Sequence, residues 1–235
     1  MTWDPLDALW RPGWEQQQAS PQIMLPPRPE REYFVGLDLG QQSDPTAIAV
    51  AEQVHVPTGT PVPGREAPTE THYHVRHLER LALGTSYPAV VARVAELVTQ
   101  APLRGAVSLA VDGTGVGLPV VDMLKAVPLH DTPLYPVLIT SGDHENLERG
   151  VYHVPKRTLV ANLQVFLQSE RLKIAAGLPE AATLTHEPLN FKIKLTAAAN
   201  DVYGVWREGQ HDDLVLATAL AVWLGEQGRA HVWIL

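Results

Sequence analysis

The chain contains no cysteine. That excludes disulfides, thiolate zinc sites and cysteine nucleophiles, and leaves His, Asp and Glu to hold any metal. No apolar run approaches the roughly 18 residues that a membrane span needs, so no membrane partner is expected. Residues 1–14 are acidic and Trp-rich and lack a basic start followed by an apolar stretch, so no signal peptide is expected either. The absence of cysteine fits a cytoplasmic protein. Net positive charge is also missing: 18 Lys and Arg stand against 26 Asp and Glu, a net charge of −8. Such a chain is not a basic, non-specific coat for nucleic acid. Charged residues are slightly scarce at 19%, while apolar residues reach 45%, a globular composition. Internal repeats are absent.

The positive charge that is present is concentrated. Between residues 149 and 207 lie Arg149, Lys156, Arg157, Arg171, Lys173, Lys192, Lys194 and Arg207, against only Glu170, Glu180, Glu187 and Asp201. A basic face on an acidic body can bind a polyanion while the remainder stays soluble. Ordinary surface scatter is the plainer reading of the same residues.

Residues 1–32 hold six of the 20 prolines and show no regular apolar period. They read as an extended Pro/Trp-rich arm or linker, with a folded domain over residues 33–235. Tyr33–Leu39 is a short apolar run of strand formers, and Thr46–Ala51 is a second strand that closes a hairpin with it. Thr71–Leu81 reads as a third strand. Val90, Val91, Val94, Leu97 and Val98 predict a helix over Tyr87–Thr99, with Ser86 as its N-cap. Ala106–Asp112 is a fourth strand, followed by a Gly-rich turn and a helix over Pro119–Ala126. Leu134–Thr140 is a further strand, Ser141–Val154 a loop, Pro155–Glu170 a helix and Pro179 to about Leu189 another. Residues 191–195 and 202–206 predict a hairpin, and the last helix runs from about Asp212 to Glu226. The order implies an α/β domain. Its mixed sheet is antiparallel over the first three strands and parallel later, with helices on both faces.

An Asp at the end of a core strand is costly unless something pairs it. Asp38 ends the first strand, Asp112 ends the fourth, and both precede Gly-containing turns that let a ligand approach. Asp212 and Asp213 open the last helix. Carboxylates converging from two strand ends and a helix start repel one another, and a divalent cation is the natural compensation. Two ions about 3.5–4 Å apart would suit phosphodiester cleavage. Singly, each acid reads as well as a turn or helix cap: Asp212 is a good N-cap, and Asp44 is a turn former. Gly113-Thr114-Gly115-Val116-Gly117 lacks the Lys of a P-loop and departs from the dinucleotide fingerprint, so no nucleotide motor site is expected.

Three segments resemble the nuclease domain of the large terminase subunit of phages. They are Val35-Gly36-Leu37-Asp38-Leu39-Gly40 with Ser43-Asp44-Pro45-Thr46-Ala47, then Val111-Asp112-Gly113-Thr114-Gly115-Val116-Gly117, then Arg207-Glu208-Gly209-Gln210-His211-Asp212-Asp213-Leu214-Val215-Leu216-Ala217. Leu172-Lys173-Ile174, Phe191-Lys192 and Tyr203-Gly204-Val205-Trp206 are similar too. The resemblance spans about residues 33–226. It implies an RNase H-like fold and a metal-dependent endonuclease acting on double-stranded DNA, in a bacterial or phage-infected cell. It carries the family's acids onto Asp38, Asp112 and the Asp212-Asp213 pair, with His211 as a nearby ligand or proton-transfer partner. Terminase large subunits also carry a packaging ATPase, for which 235 residues leave no room. A separate packaging ATPase or portal-like partner is the corresponding expectation.

The expected chemistry is two-metal hydrolysis with Mg²⁺ or Mn²⁺. Asp38 would bridge both ions, Asp112 would hold one, and Asp212 or Asp213 the other. Lys156, Arg157, Lys192 and Lys194 would contact phosphates as positioning groups rather than read bases. The alternatives are a Holliday-junction resolvase-like nuclease, which would prefer branched DNA, and a non-catalytic binding module of the same fold.

Overall fold

A computed structural model describes residues 31–40, 44–60, 67–115, 117–184 and 212–230. The arm up to residue 30, the predicted hairpin over 191–206, and with them His211, Lys192 and Lys194, lie outside the described residues.

The sheet starts from a three-strand antiparallel unit. β1 (Glu32–Asp38) pairs antiparallel with β2 (Ala47–Pro57), which pairs antiparallel with β3 (Thr69–Arg80). β2 extends well beyond the expected Thr46–Ala51, β3 begins two residues before Thr71, and a bulge between Val50 and Ala51 shifts their register. After α1 (Tyr87–Thr99), β4 (Val107–Asp112) joins β1 in parallel. After α2 (Gly117–Lys125), β5 (Leu134–Thr140) joins β4 in parallel. The expected mixed sheet is thus present.

The chain from Ser141 to Val154 departs from the expected loop. It forms a hairpin of β6 (Asn146–Glu148) and β7 (Val151–Pro155), and β7 pairs in parallel with β5. Arg149 and Gly150 supply the two left-handed turn residues, with φ of 52° and 81°, the geometry that a two-residue hairpin turn requires. Three-residue β6 is exposed throughout, so it carries no apolar signature in the sequence. β8 (Leu172–Ile174), which follows α3 (Lys156–Gln168), is equally short and pairs in parallel with β3. The described sheet has eight strands in the order β6-β7-β5-β4-β1-β2-β3-β8.

Alternation along β1 divides the core between the two faces. Tyr33, Val35 and Leu37 pack with Val90, Val91, Val94 and Val98 of α1 and Val120, Val121 and Leu124 of α2. Phe34 on the opposite face packs with Leu159, Leu163 and Phe166 of α3 and with α4 (Asp213–Ala230). Helices therefore cover both faces, as expected. α4 is buried at every position from Asp213 to Leu224, because it lies on β1 and β2 and also against α3, and a helix enclosed on all sides is apolar all round. Among the described residues no helix is long and apolar enough to cross a membrane. Ser86 occupies the N-cap of α1 in extended conformation but makes no side-chain cap bond.

Candidate active site

Asp38 and Asp112 end neighbouring parallel strands, each one residue beyond the Leu37–Val111 pair. The two carboxyl groups influence each other directly. Burial holds the Asp38 carboxyl well above the usual 3.8, and the negative charges of Asp112, Asp212 and Asp213 raise it further, while Lys156 pulls it down. Burial likewise raises Asp112, against hydrogen bonds from Thr114 and Asp38 and the charge of Lys156.

The Gly-rich turn after β4 holds Asp112 in place. Its Oδ1 accepts the Thr114 N–H at 2.8 Å, and Thr114 Oγ1 accepts the Ile139 N–H of β5 at 3.0 Å. Gly117 opens α2 where a Cβ would overlap the Asp112 carbonyl oxygen. This turn is a structural brace for an acid, which agrees with its failure to match a phosphate loop. On the β1 side, Gly40 donates its N–H to Thr46 Oγ1 at 3.1 Å.

The two acids opening α4 diverge. Asp212 sits just before the helix, and its carbonyl accepts the Leu216 N–H at 2.9 Å. Its Oδ2 accepts Lys156 Nζ at 2.7 Å. Asp213 is gripped by the Arg80 guanidinium: Nε lies 3.1 and 2.9 Å from its two oxygens, and Nη2 lies 2.5 Å from Oδ1. The Asp213 side chain is only 3% exposed. Arg80 ends β3 and also reaches Glu180 at 3.8 Å.

Asp38, Asp112, Asp212 and Lys156 thus gather from the ends of β1 and β4 and the starts of α4 and α3. Asp213 joins them electrostatically but turns its carboxylate to Arg80. Arg157, next to Lys156, pairs with Asp143 at 2.5 Å. Among the described residues no three His, Asp or Glu side chains converge with the geometry of a metal site. The donor set of Asp38, Asp112 and Asp212 is nevertheless all carboxylate oxygen, the chemistry that suits Mg²⁺ or Mn²⁺. Arg80 escaped the sequence reading, because its partner lies 133 positions away and a basic residue at a strand end carries no local signal.

No protein-family model matches the chain, and no curated protein is similar to it. Solved structures do match. The large terminase nuclease from thermophilic phage G20c is 23% identical, with a TM-score of 0.53 over 83% of this chain and 82% of that one. The terminase nuclease domain of human cytomegalovirus, soaked with Mn, is 14% identical with a TM-score of 0.43, covering 81% and 82% of the two chains. The large terminase nuclease domain of bacteriophage SPP1 with bound Mn is 13% identical with a TM-score of 0.41, covering 83% and 86%. The first of these shows the fold alone: this chain shares the mixed-sheet α/β architecture of that phage nuclease domain.

Proposed function

We propose that this chain is a metal-dependent endonuclease that hydrolyses phosphodiester bonds in double-stranded DNA. The observation that carries this reading is the placing of Asp38 and Asp112 at the ends of adjacent parallel strands, with Asp212 at the start of α4 adding its charge to theirs, in a fold of the terminase-nuclease type. Asp38 lies in the field of Asp112, Asp212 and Asp213; in this reading Asp38 would be shared between two ions, with Asp112 and Asp212 each holding one. Two Mg²⁺ or Mn²⁺ ions held there would supply Lewis-acid activation of the attacking water and charge stabilisation at the leaving oxygen.

The chain's own groups account for the remaining requirements. Attack by the water oxygen on phosphorus breaks the P–O3′ bond, leaving a 5′-phosphate and a 3′-hydroxyl. The proton that the water loses would leave to solvent, because Asp38 and Asp112 must be deprotonated to hold the ions. Lys156 beside Asp212 brings a cation to where a phosphate must sit, and Lys192 and Lys194 would extend phosphate contact along the duplex. His211 remains a candidate ligand or proton-transfer group. A packaging ATPase or portal-like protein is the kind of partner that this reading calls for.

Cleavage of linear, supercoiled and four-way-junction DNA with Mg²⁺ or Mn²⁺ tests the reading. Cutting of linear and supercoiled duplex by wild type, and none by Asp38→Asn, is expected. Cutting confined to the junction would favour a resolvase, and binding without any cutting would favour a non-catalytic module.

A further inference from the structure

Resting on the nuclease reading, we infer that Arg80 is a positioning residue that sets the start of α4, and with it Asp212, against Asp38. The backbone path is short and rigid. Asp38 of β1 lies opposite Ala47 of β2, and Ala47 lies opposite Arg80 of β3. Arg80 thus stands at the same level of the sheet as Asp38, two strands away. From there its guanidinium grips both oxygens of Asp213. A forked, planar, permanently charged donor holds a carboxylate in orientation as well as in place. Glu180 at 3.8 Å holds a second side of the same guanidinium.

Asp213 is turned to Arg80 of β3, whereas Asp212, just before the helix, meets Lys156 of α3 at 2.7 Å. Asp213 is 3% exposed and Arg80 20% exposed, so water offers the carboxylate little alternative to this pairing. The division of labour follows: Asp212 faces the reacting centre, and Asp213 with Arg80 decides where it faces.

The test is Mn²⁺ binding by titration calorimetry together with single-turnover cleavage at saturating Mn²⁺, for Arg80→Met, Asp213→Asn and the double variant, each checked for folding by thermal unfolding. Positioning partners of metal ligands change affinity or rate by about 10–100-fold. Arg80→Met and Asp213→Asn should both weaken Mn²⁺ binding in that range, and the double variant should lose no more than the worse single, because one linkage is broken in all three. Tighter Mn²⁺ binding in Arg80→Met would overturn the inference, since it would mean that Arg80 merely withholds a direct ligand. Additive losses would overturn it too. If Arg80→Met does not fold, the double variant, which removes both charges of the pair, and Arg80→Lys, which keeps the charge but not the fork, carry the same comparison. Wild-type protein that neither binds Mn²⁺ nor cuts DNA overturns the nuclease reading itself. Wild type that does both, with Arg80→Met unchanged, overturns only the role of Arg80.

Discussion

Gly36 of β1 and Ala217 of α4 meet backbone to backbone: a Cβ on Gly36 would overlap the Ala217 carbonyl oxygen and stand 2.8 Å from the Ala221 nitrogen. Nothing there is a flexible side chain that can give way. This close approach lets α4 lie directly on the strand that ends in Asp38. Gly36→Ala must therefore lift the helix and carry Asp212 off with it. We expect a loss of about 3 kcal/mol or more, at the upper end of overpacking costs, read as a fall in thermal unfolding midpoint, with cleavage abolished in any fraction that folds. A wild-type midpoint would show that α4 does not sit this close.

The raised carboxyls predict how the metal-free protein responds to pH. A carboxyl whose folded value lies above its unfolded value binds more protons in the folded state between the two values. Stability is then greatest below the unfolded value and falls as pH rises toward the folded one. Burial and neighbouring acids raise Asp38, and burial raises Asp112, above the usual 3.8. The metal-free protein should lose stability as pH rises from about 4 through the folded values of this pair. Asp38→Asn should flatten that slope, measured by thermal unfolding across a pH series. A wild-type slope in Asp38→Asn would place the responsible group elsewhere.

Metal should reverse that trend. Ligands must be deprotonated to bind, so Mn²⁺ affinity should rise with pH, and Mn²⁺ should raise the unfolding midpoint by mass action. Asp38→Asn and Asp112→Asn should each shrink this shift and abolish cleavage. Equal metal stabilisation in wild type and Asp38→Asn would remove Asp38 from the ligand set.

Asp212 and Asp213 should part company on mutation. Asp212→Ala removes a group whose partner Lys156 is partly exposed, so it should fold near-normally and cut no DNA. Asp213→Ala strips Arg80 of its principal partner. Breaking an enclosed pair on one side costs about 3 kcal/mol, so it should unfold at a clearly lower temperature. Matching stability and activity in the two variants would refute this division.

Lys156→Gln and the double change Lys192→Ala with Lys194→Ala test the proposed binding of phosphates. Removing one phosphate-neutralising cation should flatten the slope of log affinity against log salt by about 1 unit. Lys156→Gln, measured with inactive Asp112→Asn as background, should flatten it by about that amount and the double change by up to about twice as much. An unchanged slope would make these lysines solvated charges.

Some of this protein is written locally and some is not. The period of Val90, Val91, Val94 and Val98 marks α1 over its full length, Tyr87–Thr99, and the apolar run of β5 marks Leu134–Thr140, because burial of one face imposes its period on the chain. Asp38 and Asp112 stand out for the same reason: an acid closing an apolar run contradicts its surroundings. The β6–β7 hairpin and β8 have no such imprint. Their strands of three to five residues owe their form to pairing with β5 and β3, which is a property of neighbours in space. The meaning of the Asp212-Asp213 pair belongs there too. Adjacent in sequence and alike in chemistry, they are told apart only by which cation each meets: Lys156, 56 positions from Asp212, or Arg80, 133 positions from Asp213. The sequence alone determined that acids would end β1 and β4 and open the last helix. Only the tertiary structure decided which of them turn toward one another, because an ion pair depends on distance through space and not along the chain.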